Sequence, residues 1–299
     1  MATRNRESER SPEVSIAEAK EILGGNYLGV EATEKVFGTK IEEIPDLPFS
    51  RERLEDAQGM DMALIFRVDT AGDKPLTIEN MCGLFREEDS DIRYNEKGYF
   101  VQGSNTERID SDESFFKELS PRPGWALVGK DGFKKFSSGN DLISEGGGYL
   151  AQTLEIVDYM EEQIKKFGAG DVPPEFTEAI KEFKEKKYEL YELSKSQNSD
   201  DQRKLAQTLV ELRANQVAMH NPAEVVYDAI LFIEDEKKRE PIPIGGKPVS
   251  RFSFKEVSTA SLDSDGFLVS VGISGKNELS FMKSTPKNSI ASIPLSLRQ

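Results

Sequence analysis

Pro241-Ile242-Pro243-Ile244-Gly245-Gly246-Lys247-Pro248 divides this chain of 299 residues into two parts of different character. Proline fixes φ and removes a backbone donor, paired glycines add freedom, and the octapeptide is therefore read as a linker. Upstream the chain is acidic, charge-rich and dominated by helical periodicity. Downstream, residues 249–299 are alternating strand sequence rich in Ser and Gly. Charge divides at the same place: residues 1–240 carry 32 Lys and Arg against 50 Asp and Glu, or −18, while residues 241–299 carry 7 against 4, or +3. An acidic body of this kind repels nucleic acid and anionic membrane, and three surplus positive charges are too few for a nucleic-acid groove.

Working outward from the linker, the upstream sequence falls into helices with identifiable starts. Ser15-Ile16-Ala17-Glu18 is a capping box, and Ile16, Ala19, Ile22 and Leu23 then share one helical face that Gly24-Gly25 ends. A short helix over Glu31–Phe37 follows, then the extended Ile44–Phe49 and a helix over Arg51–Gln58 with Ser50 as its N-cap. Met62–Val68 and Trp125–Val128 are near-continuous apolar runs of strand length, as expected of strands buried on both faces. Thr77–Asn80 and Tyr99–Gln102 are weaker strand candidates, and Ser114–Leu119 a short helix. Trp125 is read as a core residue.

From Tyr149 the period becomes helical. Leu150, Leu154, Val157, Ile164 and Phe167 form one stripe, and Phe176, Ile180, Phe183, Leu190 and Tyr191 repeat it after Pro173-Pro174. Ser199-Asp200-Asp201-Gln202 opens a third helix carrying Leu205, Leu209, Leu212 and Met219. Asn221-Pro222-Ala223-Glu224 opens a fourth, with Val225, Val226, Ala229, Ile230 and Ile233. Beyond the linker, strands are expected at Arg251–Val257, Phe267–Ile273 and Glu278–Met282, with a last apolar alternation through Ile290, Ile293, Leu295 and Leu297. The expected fold is α+β: a disordered tail over 1–13, an N-terminal helical region with a small mixed sheet over 14–148, a central antiparallel helical bundle over 149–240, the linker at 241–248 and a small C-terminal antiparallel β module over 249–299. Such a short module buries too little to stand alone and should pack on the body.

The inventory of reactive side chains excludes many chemistries. One cysteine, Cys82, and one histidine, His220, cannot build a Cys/His zinc site, and no intramolecular disulfide is possible. His220 sits between two helices, where terminal carbonyls and the helix dipole suit an imidazole, and its expected role is structural. Asp-Ser-Asp recurs at Asp89/Asp91, Asp110/Asp112 and Asp263/Asp265 without the Gly and Glu spacing of a calcium loop. Gly24–Gly29 follows a helix and Gly146–Gly148 lacks a phosphate-loop context, so neither is read as a phosphate site. Lys134-Lys135 and Lys237-Lys238-Arg239 suit helix ends and solvated faces. No apolar run reaches the roughly 18 residues of a membrane helix, the first 13 residues lack the apolar core of a signal peptide, and the chain is expected in the cytoplasm. No cofactor or metal is expected.

The stretches AEAKEILGGNYLGVEA (17–32), LPFS (47–50), GWALVGK (124–130), YLAQTLEIVDY (149–159), NPAEVVYDAILFI (221–233) and DGFLVSVG (265–272) resemble a family of uncharacterised proteins from small-genome candidate-phyla bacteria. That resemblance implies an organisation and no catalytic residues. The C-terminal unit resembles the last strands of C-type-lectin-like or formylglycine-enzyme-like domains, although Arg251–Lys255 lacks their tryptophan. This second resemblance implies ligand contacts on loops 261–265, 275–278 and 284–289, and the binding candidates are Ser261, Asp263, Asp265, Lys276, Asn277, Glu278, Lys287 and Asn288.

The expected function is non-enzymatic: an interaction protein whose helical scaffold presents the β module to a protein or other macromolecule. The alternatives are a carboxylate-based or divalent-metal-assisted hydrolase near residues 60–135, using acids around Glu87–Asp91, and a structural subunit of a larger assembly.

Overall fold

A computed structural model describes residues 14–84, 113–129, 148–168, 172–236, 242–244, 247–249, 257–273, 279–286 and 296–297. The 1–13 tail, Tyr99–Gln102, the acids at 87–91, Asp110/Asp112, Gly146-Gly147 and both basic clusters lie outside those residues. The fold is α+β.

Helix α1 (Ile16–Leu23) starts at the expected capping box: Glu18 N–H donates to the Ser15 side chain while the Glu18 carboxylate accepts from Ser15 N. A 3₁₀ turn leads into strand β1 (Tyr27–Leu28) and helix α2 (Val30–Phe37). Gly29 is the N-cap of α2, so this glycine-rich turn opens a helix as well as closing one, contrary to expectation. The Tyr27 ring occupies the place a Cβ on Gly29 would take, so the turn admits only glycine there.

Next come α3 (Arg51–Gly59), capped by Ser50, and β2 (Met62–Arg67), then a small hairpin of β3 (Thr70–Ala71) and β4 (Lys74–Pro75). Thr77–Asn80, expected as strand, instead starts α4 (Ile78–Leu84), because the Thr77 hydroxyl and carbonyl accept from Asn80 N and Met81 N. The short α5 (Phe115–Glu118) precedes β5 (Gly124–Gly129).

Strand β2 is buried along its whole length, as its unbroken apolar run requires. Alternation sends Met62, Leu64 and Phe66 into one core with Trp125, Leu127 and the bundle, and Ala63 and Ile65 into a second core with Ala126, Val128 and α4. Antiparallel register sets Leu64 opposite Leu127 and Phe66 opposite Trp125. Trp125 is a core residue, as expected: its ring meets Phe66 edge-on at 4.9 Å and its indole N–H donates to the Pro45 carbonyl. The sheet is therefore a wall between two cores.

The bundle contains α6 (Tyr149–Phe167), α7 (Glu175–Lys195), α8 (Ser199–Glu211) and α9 (Arg213–Ala218). Asn198, one residue before the expected start, caps α8, and the expected single third helix breaks at Leu212, whose ψ is 130°. Helix α10 (Pro222–Glu236) starts at a second capping box, between Asn221 and Glu224. It leaves the bundle to pack on α2, α4 and the C-terminal sheet. Residues 223–233 are buried without a break, and a helix apolar on all sides belongs inside the molecule.

The linker forms a hairpin of β6 (Ile242–Ile244) and β7 (Lys247–Val249). Strands β8 (Val257–Leu262), β9 (Leu268–Ile273) and β10 (Leu279–Ser284) make an antiparallel sheet with β9 at its centre. The first of these lies further along the chain than Arg251–Val257, of which only Val257 is described. Val269, Val271 and Phe281 are fully buried in the second core, Leu268 lies in the first, and Tyr149 donates its N–H to Pro286 O and its hydroxyl to Thr259 O. Finally β11 (Ser296–Leu297) pairs with β5, so the C-terminus completes the mixed sheet β1-β2-β5-β11.

Candidate functional site

Polar or exposed apolar groups gather at several places among the described residues. The first is a buried ionic network where β2 meets α10. Arg67, at the end of β2, donates from Nε to Asp228 Oδ1 at 2.8 Å and from one terminal nitrogen to Oδ2 at 2.5 Å, a bidentate pair with both side chains fully buried. Its other terminal nitrogen lies 3.6 Å from Glu224, which Arg122 holds through two further bonds of 2.8 Å. Arg122 also donates to the carbonyls of Gln216 and Met219, closing the end of α9. Two arginines and two carboxylates balance.

His220 joins the same network, with Nε2 2.8 Å from Asp228 Oδ2. Burial pushes the imidazole below its ordinary pKa more than Asp228 raises it. Burial alone would raise the Asp228 carboxyl, but Arg67 and His220 hold it below the usual range. The ionised acid thus accepts, and the neutral imidazole donates from Nε2. His220, expected to meet terminal carbonyls between two helices, is buried and pairs with the Asp228 carboxylate. Arg67, Asp228 and Glu224 are at 0% exposure, so the network lies inside the molecule and ties β2 to α10.

The second place is the C-terminal loop singled out from sequence. Asp263 is buried and accepts from the backbone N–H groups of Asp265 and Phe267, folding the turn around Gly266. Burial raises its carboxyl pKa against the pull of the Phe267 bond. Asp265 is exposed and pairs with Lys283 at 3.1 Å, while Ser264 donates from its hydroxyl and N–H to Glu113. Ser261 is half-buried on β8. Lys276, Asn277, Glu278, Lys287 and Asn288 lie outside the described residues.

The third place was not singled out from sequence. Leu150 and Leu154 on α6 and Phe183, Lys184, Lys187, Tyr188 and Tyr191 on α7 line a groove of about 440 Å³. Phe183 is the floor, the two leucines are half-buried, Tyr188 is 77% exposed and Tyr191 40%. Tyr191 was expected on the buried stripe, but Leu190 takes that place and turns its neighbour outward. The recoverable signal was the spacing of Lys184, Tyr188 and Tyr191, which puts two aromatic rings on one exposed helical face.

Charge beside the groove is unequal. Lys184 pairs with Glu161 at 2.6 Å, and Lys187 faces Asp158, one turn beyond Leu154. Burial and the neighbouring Glu161 and Glu162 still raise the Asp158 carboxyl, and burial and Asp158 raise Glu155. Acid outweighs base along this side of α6.

Among the described residues no group of three or more potential metal ligands occurs, and no helix is long and apolar enough to cross a membrane. No protein-family model matches the chain, and comparison with curated proteins and with solved structures gave no match.

Proposed function

We propose that this is a non-catalytic interaction protein that receives a cationic amphipathic helix of a partner protein in the groove between α6 and α7. The observation that carries the reading is a pair of tyrosines, 77% and 40% exposed, beside an apolar floor on an otherwise charged bundle. Aromatic side chains supply much of the contact energy when partners dock. Two helices side by side form the kind of trough into which a third helix lays its apolar face. The excess of carboxylate beside the groove, within a chain of net charge −15, selects a partner whose flanks carry Lys or Arg.

Removing the chain from Pro241 onward would strip Leu268, Val269, Val271 and Phe281 from the two cores, so point substitutions make the cleaner test. A labelled amphipathic peptide with leucines on one face and lysines on its flanks is titrated into the full chain, beside the same peptide with glutamates for lysines. The lysine peptide should bind at least about tenfold tighter, more weakly as salt rises, and lose that affinity in Tyr188→Ser/Tyr191→Ser. Equal binding of both peptides, or binding untouched by the double substitution, overturns the proposal. Loss of binding in Asp265→Ala with the tyrosines intact would return recognition to the C-terminal loops.

A further inference from the structure

Arg53 is 3% exposed, and neither its Nε nor either terminal nitrogen makes a hydrogen bond among the described residues. A guanidinium carries five N–H donors and keeps its charge at any pH at which the chain is folded. Stripped of water and left without an acceptor, it costs several kcal/mol, which a folded protein avoids by bringing an anion to it. Burial lowers its pKa, against the opposing influence of Tyr159 and Asp56. Its backbone adds to the mismatch, since Arg53 is the third residue of α3 and a cation there opposes the helix dipole.

The surroundings have the composition of an anion pocket. Arg53 Cζ lies 5.6 Å from the centroid of the Phe167 ring, and Lys166 Nζ lies 4.9 Å from the same centroid. The ring offers each cation its π face but no acceptor. The nearby acid, Asp56, is already held by Lys166 at 2.5 Å. What Arg53 lacks is therefore a hydrogen-bond acceptor of its own rather than acid in its neighbourhood. Tyr159 and Phe167 stand two turns apart on α6, with Gln163 between them on the same face, and all three are buried or half-buried. Arg53 therefore stands against this row, beside Tyr159 and Phe167, and Glu162 is the other acid near Tyr159.

We infer that Arg53 is the anchor of an oxyanion-binding site between α3 and the C-terminal half of α6, with Tyr159, Gln163 and Lys166 as its other walls. The ligand is a small molecule or group bearing a carboxylate or a phosphate, the two anions whose paired oxygens match the guanidinium fork. The site is separate from the groove and stands whether or not the groove binds a helix.

The test measures thermal unfolding of the full chain against millimolar inorganic phosphate, and separately acetate, each matched with chloride at equal ionic strength. A ligand bound to the folded state alone raises Tm in proportion to the logarithm of its concentration, here about 2–4 °C per tenfold increase above Kd. The expected result is that slope for one or both oxyanions and none for chloride. Phosphate alone giving the slope identifies a phosphate site, and acetate giving it too identifies a carboxylate site. Arg53→Met should abolish the slope, which separates binding from the general salting of proteins by phosphate. Tyr159→Phe, which keeps the ring, provides the comparison if Arg53→Met does not fold, and it should weaken calorimetrically measured binding by about three- to tenfold. No slope with either oxyanion, or a slope that persists in Arg53→Met, or unchanged binding in Tyr159→Phe overturns the inference.

Discussion

Arg67 and Arg53 are both arginines inside the molecule, and the protein treats them in opposite ways. Arg67 meets Asp228 in a bidentate pair, with Glu224 behind it and Arg122 balancing the second carboxylate. Arg53 has an aromatic ring, a carboxylate engaged elsewhere, and no side-chain hydrogen bond among the described residues. Burial by itself therefore says little about a charge. What matters is whether the tertiary fold delivers a counter-ion, because an unpaired ion loses its hydration and gains nothing in return. The first arginine ties β2 to α10, and the second is the residue through which a ligand would add stability.

The largest expected effect comes from breaking the satisfied side. Arg67→Met leaves Asp228 buried without its main cation and should cost about 3–5 kcal/mol in urea unfolding. A loss below about 1 kcal/mol would remove the contrast with Arg53. Asp228→Asn keeps one acceptor and the side-chain shape but drops the charge, so a smaller loss of about 2–3 kcal/mol is expected by the same measurement.

A shallower effect involves pH. His220 has a folded pKa below its unfolded value, so below about 6.5 the unfolded chain binds the proton that the folded chain refuses. Stability should fall as pH drops from 7 to 5, and Asp228, also depressed, adds a further loss at lower pH, through its own folded pKa. Glu155 and Asp158, raised by burial, act with the opposite sign and gain stability as they protonate. His220→Gln isolates the histidine contribution: the slope between pH 7 and 5 should flatten, and an unchanged slope would place the titration elsewhere.

On the unsatisfied side the expectation is close to zero. In chloride buffer Arg53→Met should unfold within about 1 kcal/mol of the parent, or be more stable, since a charge without a partner is exchanged for packing. A loss comparable to that of Arg67→Met would mean that Arg53 is satisfied after all. Smallest in stability is Tyr188→Ser, at most about 0.5 kcal/mol for so exposed a side chain, measured beside the loss of peptide affinity that the groove predicts.

The local signals of the chain are legible in its residue order. Ser15 with Glu18 and Asn221 with Glu224 form their capping boxes within four residues, so both helix starts can be read directly. The apolar run of β2 announces a strand covered on both faces, and the alternation downstream of residue 257 announces β9 and β10. Elsewhere nearest-neighbour patterns point to the wrong element: Thr77 satisfies a helix start that its strand-like neighbours conceal. Nothing in the apolar stripe of α7 distinguishes Leu190, which faces the core, from Tyr191, which faces the groove.

Sequence alone determined the α+β class, the order of most elements and their caps, because backbone dihedrals and terminal N–H groups are satisfied by residues three or four positions away. Only the tertiary structure decided which charges are paired and which faces remain open. Asp228 reaches Arg67 across 161 residues, and β11 finds β5 from the far end of the chain. Glu224 shows both levels at once, capping its own helix locally while holding Arg122 across 102 residues. The same distance in sequence is why Arg53, an ordinary arginine in an ordinary first turn, gave no sign that α6 would bury it without a partner. Such pairings depend on where the packing of two cores places each element, and that is a property of the whole chain rather than of any window along it.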